Sequence, residues 1–444
     1  MRYLPHTPKE IDAMLAAVGT GSLDGLFAPV PADCRMTSPW ELPAPHSEWE
    51  LNAHFSDLAG SMAVNEQTAA LVGAGSYHHH IPETVRALVG RSEFLTSYTP
   101  YQPEMSQGTL QAIFEYQTLT ARLLGVDVVN ASMYDGASAL AEALLMALRI
   151  AKKKQRVAMA KAIHPHYRAV VRAYLQPAGF EIVELDTLAS GRTDLDGIGA
   201  QGDLAAVALQ SPNFFGVIED LDSAAVAVHQ AEALLVAGFT EPLAFGLFKN
   251  PGSCGADIVC GEGQSFGLPR SFGGPYLGMF GCKAPFTRNL PGRLVGETRD
   301  LEGRRGYVLT LATREQHIRR EKATSNICSN QGLCALTAAI HMASLGGTGI
   351  RQLARLNYDR AEYLKGLLVQ AGARMVFSGP TFNEFVVEFA TDFKPVRQRL
   401  LAQNIVAGLE LGRLYPELAG RYLFCVTETI DKKTMDTIAA EVGA

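Results

Sequence analysis

The 444-residue sequence has no large excess of either charge: 39 lysines and arginines stand against 45 aspartates and glutamates, a formal charge of −6 with histidine neutral. That near-balance argues against a nucleic-acid-binding surface. Long apolar runs are also lacking. A membrane span needs about 20 apolar residues, and the most apolar stretches are cut by His229, Glu232 and His341, so no membrane segment is expected. A secretory leader needs a basic start followed by about 7–15 apolar residues. Pro5, Pro8, Lys9, Glu10 and Asp12 interrupt the beginning, and no leader is expected. Cysteines spaced as C-x-x-C are missing too. The seven cysteines, Cys34, Cys254, Cys260, Cys282, Cys328, Cys334 and Cys425, are odd in number and scattered, which reads as reduced thiols in a cytoplasmic protein.

What is present is core-building material. Hydrophobic residues make up 47% and charged residues 19%, too apolar and too lightly charged for a disordered chain. At about 150 residues per domain the length allows two to three domains. Residues 1–91, dense in proline and glycine, read as an N-terminal arm that wraps another part of an assembly. Residues 92–340 read as a large α/β domain, with amphipathic helices at 108–124 and 137–150. Short apolar runs at 156–160, 180–186, 204–209, 233–236 and 257–260 alternate with helical or turn segments, the pattern of a mainly parallel sheet. A run at 277–281 closes that region. A basic segment rich in glycine and proline, 283–322, leads to helices at 331–345 and 353–371. Residues 341–444 read as a smaller α+β domain, with strands at 374–377, 384–389, 405–409 and 422–427.

Four motifs carry candidate chemistry. The turn GEGQSFG (261–267) follows an apparent strand as a dinucleotide loop would, but no helix follows it, and Glu262 would set a negative charge beside a phosphate. His78, His79 and His80 are consecutive, and His164 and His166 flank Pro165. Adjacent residues on a strand point to opposite faces, so they do not converge on one metal ion, and a loop lining a pocket or interface is the reading preferred here. Arg304, Arg305, Arg314, His317, Arg319, Arg320 and Lys322 form a basic run suited either to holding a carboxylate or phosphate or to subunit-interface ion pairs. The fourth motif, YTPYQPEMSQG (98–108), sets two phenols, an amide and a carboxylate on a loop stiffened by two prolines, and rigid loops are where sites tend to be built.

Taken together, YTPYQPEMSQG (98–108), NASMYDGAS (130–138), PGSCGADIV (251–259) and above all TREQHIRREKATSNIC (313–328) closely resemble glycine dehydrogenase (decarboxylating), the P-protein family of the glycine cleavage system. The resemblance covers most of the chain. It implies an aminotransferase-like fold, fold type I of the pyridoxal phosphate enzymes, with a mainly parallel sheet in the large domain. It also implies the two-chain form of the enzyme, with this chain as the alpha member. In that arrangement a beta subunit bears pyridoxal phosphate, and the pair decarboxylates glycine and passes the aminomethyl group to the lipoyl arm of the H protein. Two copies of each chain are implied, and no nucleic acid, membrane or metal.

The residues allow an independent test of the cofactor. Pyridoxal phosphate chemistry needs a lysine amine, which in this fold follows a late strand. The turn after the strand at 256–260 holds Gln264 and Ser265, and no lysine lies between Lys249 and Lys283. Glu241, the candidate partner for a pyridinium nitrogen, is longer than aspartate and is followed by proline. Asp135, Gly136, Ala137 and Ser138 look like a vestigial phosphate cup at a helix N-terminus. Catalysis is therefore expected from the pair, with Tyr98, Tyr101 and Gln102 as the candidates that complete the partner's site, followed by Tyr77 and His78–His80. Two alternatives stay open: a purely structural or regulatory subunit, and a self-sufficient pyridoxal phosphate enzyme.

Overall fold

Strands buried along their whole length need cover on both faces. In the computed structural model, which describes residues 5–36, 38, 40–62, 68–95 and 98–443, such strands build one central sheet. In chain order they are β1 Val128–Val129, β2 Arg156–Ala160, β3 Glu181–Leu185, β4 Leu204–Gln210, β5 Leu234–Phe239, β6 Ile258–Glu262 and β7 Gly278–Cys282. Their spatial order is β1-β7-β6-β5-β4-β2-β3. The five strands from β3 to β6 are parallel, β7 runs antiparallel to β6, and β1 antiparallel to β7. Every residue of β4 and β6 is buried, as the apolar runs LAAVALQ and IVC require.

The helix Gly136–Ala151 covers the sheet because its apolar positions extend around most of its circumference, and Leu140, Leu144 and Leu148 enter the main core with β4 and β5. It starts where it does because the Asp135 side chain accepts a hydrogen bond from Ser138 N at 2.7 Å, a capping box that satisfies a free amide of the first turn. The helix Gln107–Leu124 ends at Gly125, whose φ of 72° suits glycine.

Two expectations change. The segment 283–322, read from sequence without strands, contains the antiparallel hairpin Leu294–Arg299 and Arg305–Thr310. The two helices expected at 331–345 and 353–371 are one element, Gly332–Gln370, broken at Gly346, where φ is 60° and ψ 176°. By length and composition this element passes as a membrane span, but Ala335, Ala338, Ala339 and Met342 on it pack into the protein core.

Further on, Arg374–Met375, Glu384–Glu388, Arg421–Cys425 and Leu409–Glu410 form an antiparallel sheet in that order. Phe385, Phe424, Leu364, Leu368 and Ile438 share its core. Residues 69–71, inside the stretch read as an arm, form the strand Ala69–Leu71, parallel to Ile405–Ala407. All of this lies in one compact unit, Glu66–Ala444. The other unit, Met1–Asn65, carries the helices Pro8–Ala17 and Glu48–Gly60, each opened by a capping box, Thr7 with Glu10 and Ser47 with Glu50. It exposes Trp40, Trp49 and Phe55.

Candidate functional site

In an open α/β sheet ligands bind beyond the carboxyl ends of the strands. Beyond β5 lie Thr240 and Glu241, and beyond β6 lie Gly263, Gln264 and Ser265. The chain fills this place with its own atoms. Gln264, 1% exposed, accepts from Tyr77 N at 2.9 Å and donates to Tyr77 O at 3.0 Å and Leu268 O at 2.7 Å. Its amide is thus engaged with the segment around Tyr77 on one side and with its own turn, at Leu268, on the other. Ser265 beside it is buried.

The helix N-terminus read as a phosphate cup already holds an anion-forming group. Glu262, the last residue of β6, accepts from Gly136 N at 3.0 Å, Gly263 N at 3.0 Å and Leu277 N at 2.8 Å. Burial pushes its carboxyl up to about 8, and the three amides hold that rise in check. There is no spare room: a Cβ at position 136 would lie 2.4 Å from the Tyr167 hydroxyl and 2.9 Å from Glu262 N. Asp135 and Ser138 cap each other, and Ala137 continues the first helical turn.

Over the strand ends runs the segment of Tyr77 and His79. The Tyr77 hydroxyl lies 3.0 Å from Thr240 Oγ1 and donates to Glu384 Oε2 at 2.9 Å, while Ala74 N donates to Glu384 Oε1 at 2.7 Å. Burial raises the Glu384 carboxyl to about 8. The His79 ring is 2.9 Å from Glu241 Oε2 and 2.8 Å from Glu428 Oε2. Burial works against charge on this ring, but Glu241 and Glu428 outweigh it and raise His79 to about 10. Burial likewise opposes charge on Glu428, yet His79 holds it down at about 2. Glu241 is therefore the partner of a buried imidazolium. His78 and His80 do not join it; the backbone of His80 donates to Glu428 Oε1 at 2.7 Å.

Of the loop residues, Tyr98 is 89% exposed and Tyr101 63%, and Gln102 is also exposed. Among the described residues only Tyr101 of these three reaches a charged group: its hydroxyl accepts from Arg293 Nη2 at 2.9 Å. The guanidinium carbon lies 5.2 Å from the ring centroid. Both residues line a pocket of about 410 Å³ with Glu315, Gln316, His317, Arg320, Glu321, Ile327 and Cys328. From the basic run, Arg314 turns inward instead, donating to Leu290 O and, at 2.7 Å, to Gly292 O. Sequence reasoning missed Arg293, Glu384, Glu428 and Tyr167. The one available sign was an arginine following Pro291-Gly292 in a segment otherwise noted only as basic.

Comparison with known proteins gives concordant results. The family model described as glycine cleavage system P-protein matches residues 1–442. A relative in Desulfotalea psychrophila, named probable glycine dehydrogenase (decarboxylating) subunit 1, is 60% identical, the match covering 100% of this chain and 98% of that protein. One of the same name in Desulforamulus reducens is 48% identical, with 100% of both covered. A crystal structure of glycine decarboxylase (P-protein) of the glycine cleavage system, in inhibitor-bound form, superposes with a TM-score of 0.91 at 44% identity, covering 100% of this chain and 99% of that one. A sphingosine-1-phosphate lyase from Burkholderia pseudomallei, at 15% identity, covers 93% of this chain and 94% of its own with a TM-score of 0.67. That last likeness shows the fold alone, fold type I of the pyridoxal phosphate enzymes.

Proposed function

Because the chain belongs to the glycine cleavage system P-protein family, we propose that it is the cofactor-free subunit 1 of a two-chain glycine decarboxylase. The observation that carries this reading is the Glu262 carboxyl group seated on Gly136 N, 3.0 Å away. A cofactor phosphate needs those amide donors and an unfilled cup, and here a tethered side chain has both. The Gln264 clamp and the absence of lysine from 250–282 point the same way. Pyridoxal phosphate does not fit these residues, so the electron sink for decarboxylation belongs to subunit 2.

The role left to this chain is to complete the partner's site. Active sites of this fold lie at subunit interfaces, and Tyr98 and Tyr101 present exposed phenols on a loop anchored through Arg293. With two copies of each chain, the assembly takes glycine, releases its carboxyl group as CO2 and loads the aminomethyl group onto the lipoyl arm of the H protein.

Borohydride reduction followed by mass spectrometry tests the assignment. Each chain is incubated with pyridoxal phosphate alone and then mixed. An adduct confined to subunit 2, with glycine decarboxylation requiring both chains, is the expected result. A stoichiometric adduct on a lysine of this chain overturns it.

A further inference from the structure

Arg293 is a charged group that lacks a counter-charge among the described residues. It is 5% exposed, and its five contacts are all to neutral oxygens. Nη1 donates to Thr99 Oγ1 at 3.1 Å, Ser329 Oγ at 3.3 Å and Asn330 Oδ1 at 3.5 Å; Nη2 donates to the Tyr101 hydroxyl at 2.9 Å and Cys328 O at 3.1 Å. Among the described residues no carboxylate oxygen lies within 4.0 Å of it. The two acids lining the same pocket stand apart from Arg293, and Glu315 lies 3.8 Å from His317 Nδ1. Buried charges are as a rule paired, since an isolated one forfeits its hydration without recompense. Its anchors come from two separate stretches of chain, residues 99–101 and 328–330, so the guanidinium is fixed in place before anything binds. The pocket of about 410 Å³ is in the size range of small-molecule sites, about 300–1,000 Å³. Planar guanidinium forks suit oxyanions.

We infer that Arg293, oriented by Tyr101 and Thr99, is a binding residue for a small-molecule oxyanion in the assembled enzyme. The inference rests on the two-chain reading and names what its interface site recognises. Two sources share this chemistry: the carboxylate of the amino-acid substrate and the phosphate of the partner's cofactor. An acidic side chain of the partner is a different proposal and is less favoured, because the pocket is several times larger than one carboxylate needs.

The test uses the co-purified pair carrying Arg293→Gln and, separately, Arg293→Lys. Two quantities are read: KM for glycine, and pyridoxal phosphate retained after gel filtration, followed by its absorbance. A rise in KM of tenfold or more with the cofactor retained assigns the carboxylate. A loss of retained cofactor of tenfold or more assigns the phosphate. If both quantities stay within twofold of wild type in an intact pair, the inference is wrong. If Arg293→Gln merely prevents the chains from co-purifying, the counter-charge is a side chain of subunit 2, and the inference is again wrong. Should Arg293→Gln not fold, Arg293→Lys and competition by acetate and inorganic phosphate in the wild-type pair decide, and absence of competition by either anion overturns it. A wild-type pair that cannot decarboxylate glycine sinks the two-chain reading itself, whereas the variants bear on Arg293 alone.

Discussion

Glu262 accepts a hydrogen bond from Gly136 N across 126 residues of sequence, at 3.0 Å. The end of one strand thereby caps the start of the helix Gly136–Ala151, and the place where the helix dipole would favour an anion is filled by the chain's own carboxyl group. The same oxygen pair satisfies Gly263 and Leu277, so the contact joins β6, β7 and the helix at one point.

Replacing Glu262 by alanine therefore orphans three buried amides. Each unsatisfied donor costs about 1–3 kcal/mol, and a loss of at least about 2 kcal/mol is expected from urea unfolding. Glu262→Gln keeps an acceptor oxygen and should lose less than Glu262→Ala. Equal losses would show that the acceptor oxygen of residue 262 is not what holds the helix start.

His79→Ala leaves Glu241 and Glu428 buried without their shared cation. Breaking a buried ion pair from one side typically costs about 3–5 kcal/mol, and the same denaturant series measures it. A change below about 1 kcal/mol would mean that the imidazole is neutral in the folded protein.

Stability should fall as the pH is raised from about 5 to 10. Glu262 and Glu384, raised to about 8 from 4.5, contribute stability that is complete below 4.5 and lost as pH climbs through 8. His79, raised to about 10 from 6.5, contributes stability that is complete below 6.5 and lost toward 10. Glu428, lowered to about 2 from 4.5, acts in the opposite sense: its contribution is present above 4.5 and lost as pH drops toward 2. The thermal midpoint should peak near pH 5, and Glu262→Gln should flatten the decline between 4.5 and 8. A midpoint that rises from pH 5 to 8 in the wild type contradicts these assignments.

Tyr101→Phe removes the phenol that accepts from Arg293 but leaves its ring. The pair should still assemble and should lose glycine decarboxylation by tenfold or more. Unchanged turnover removes Tyr101 from the site.

Gln264→Lys restores an amine to the turn after β6 without emptying the cup. No borohydride-fixed adduct is expected on this chain, because Glu262 still occupies Gly136 N. An adduct at position 264 would show that the filled cup is no barrier.

The central sheet was legible because LAAVALQ and IVC are continuous apolar runs, and burial on both faces demands that composition. The hairpin in 283–322 was not, since its strands LVGETR and RGYVLT show neither clean alternation nor full burial. Gly346 permits a break but does not announce one. Among the site residues, the Glu262 charge was visible as an oddity within a glycine-rich turn, but its target on another element was not. Tyr101 and Arg293 stand 192 residues apart, and no local pattern links a phenol on one loop to an arginine on another. Likewise three consecutive histidines can be read as pointing different ways, yet nothing nearby shows which of them meets Glu241 and Glu428.

A tethered ligand cannot be diluted away. The Glu262 side chain faces its amide donors at a local concentration that no dissolved anion matches, because the chain has already met the entropy of bringing them together. Mass-action stabilisation requires a ligand that comes and goes, so added pyridoxal phosphate or phosphate should leave the stability contributed by this cup untouched. The fold of this subunit is then insulated at that point from the supply of cofactor, while its partner, under the proposed division of labour, gains or loses stability as that supply changes.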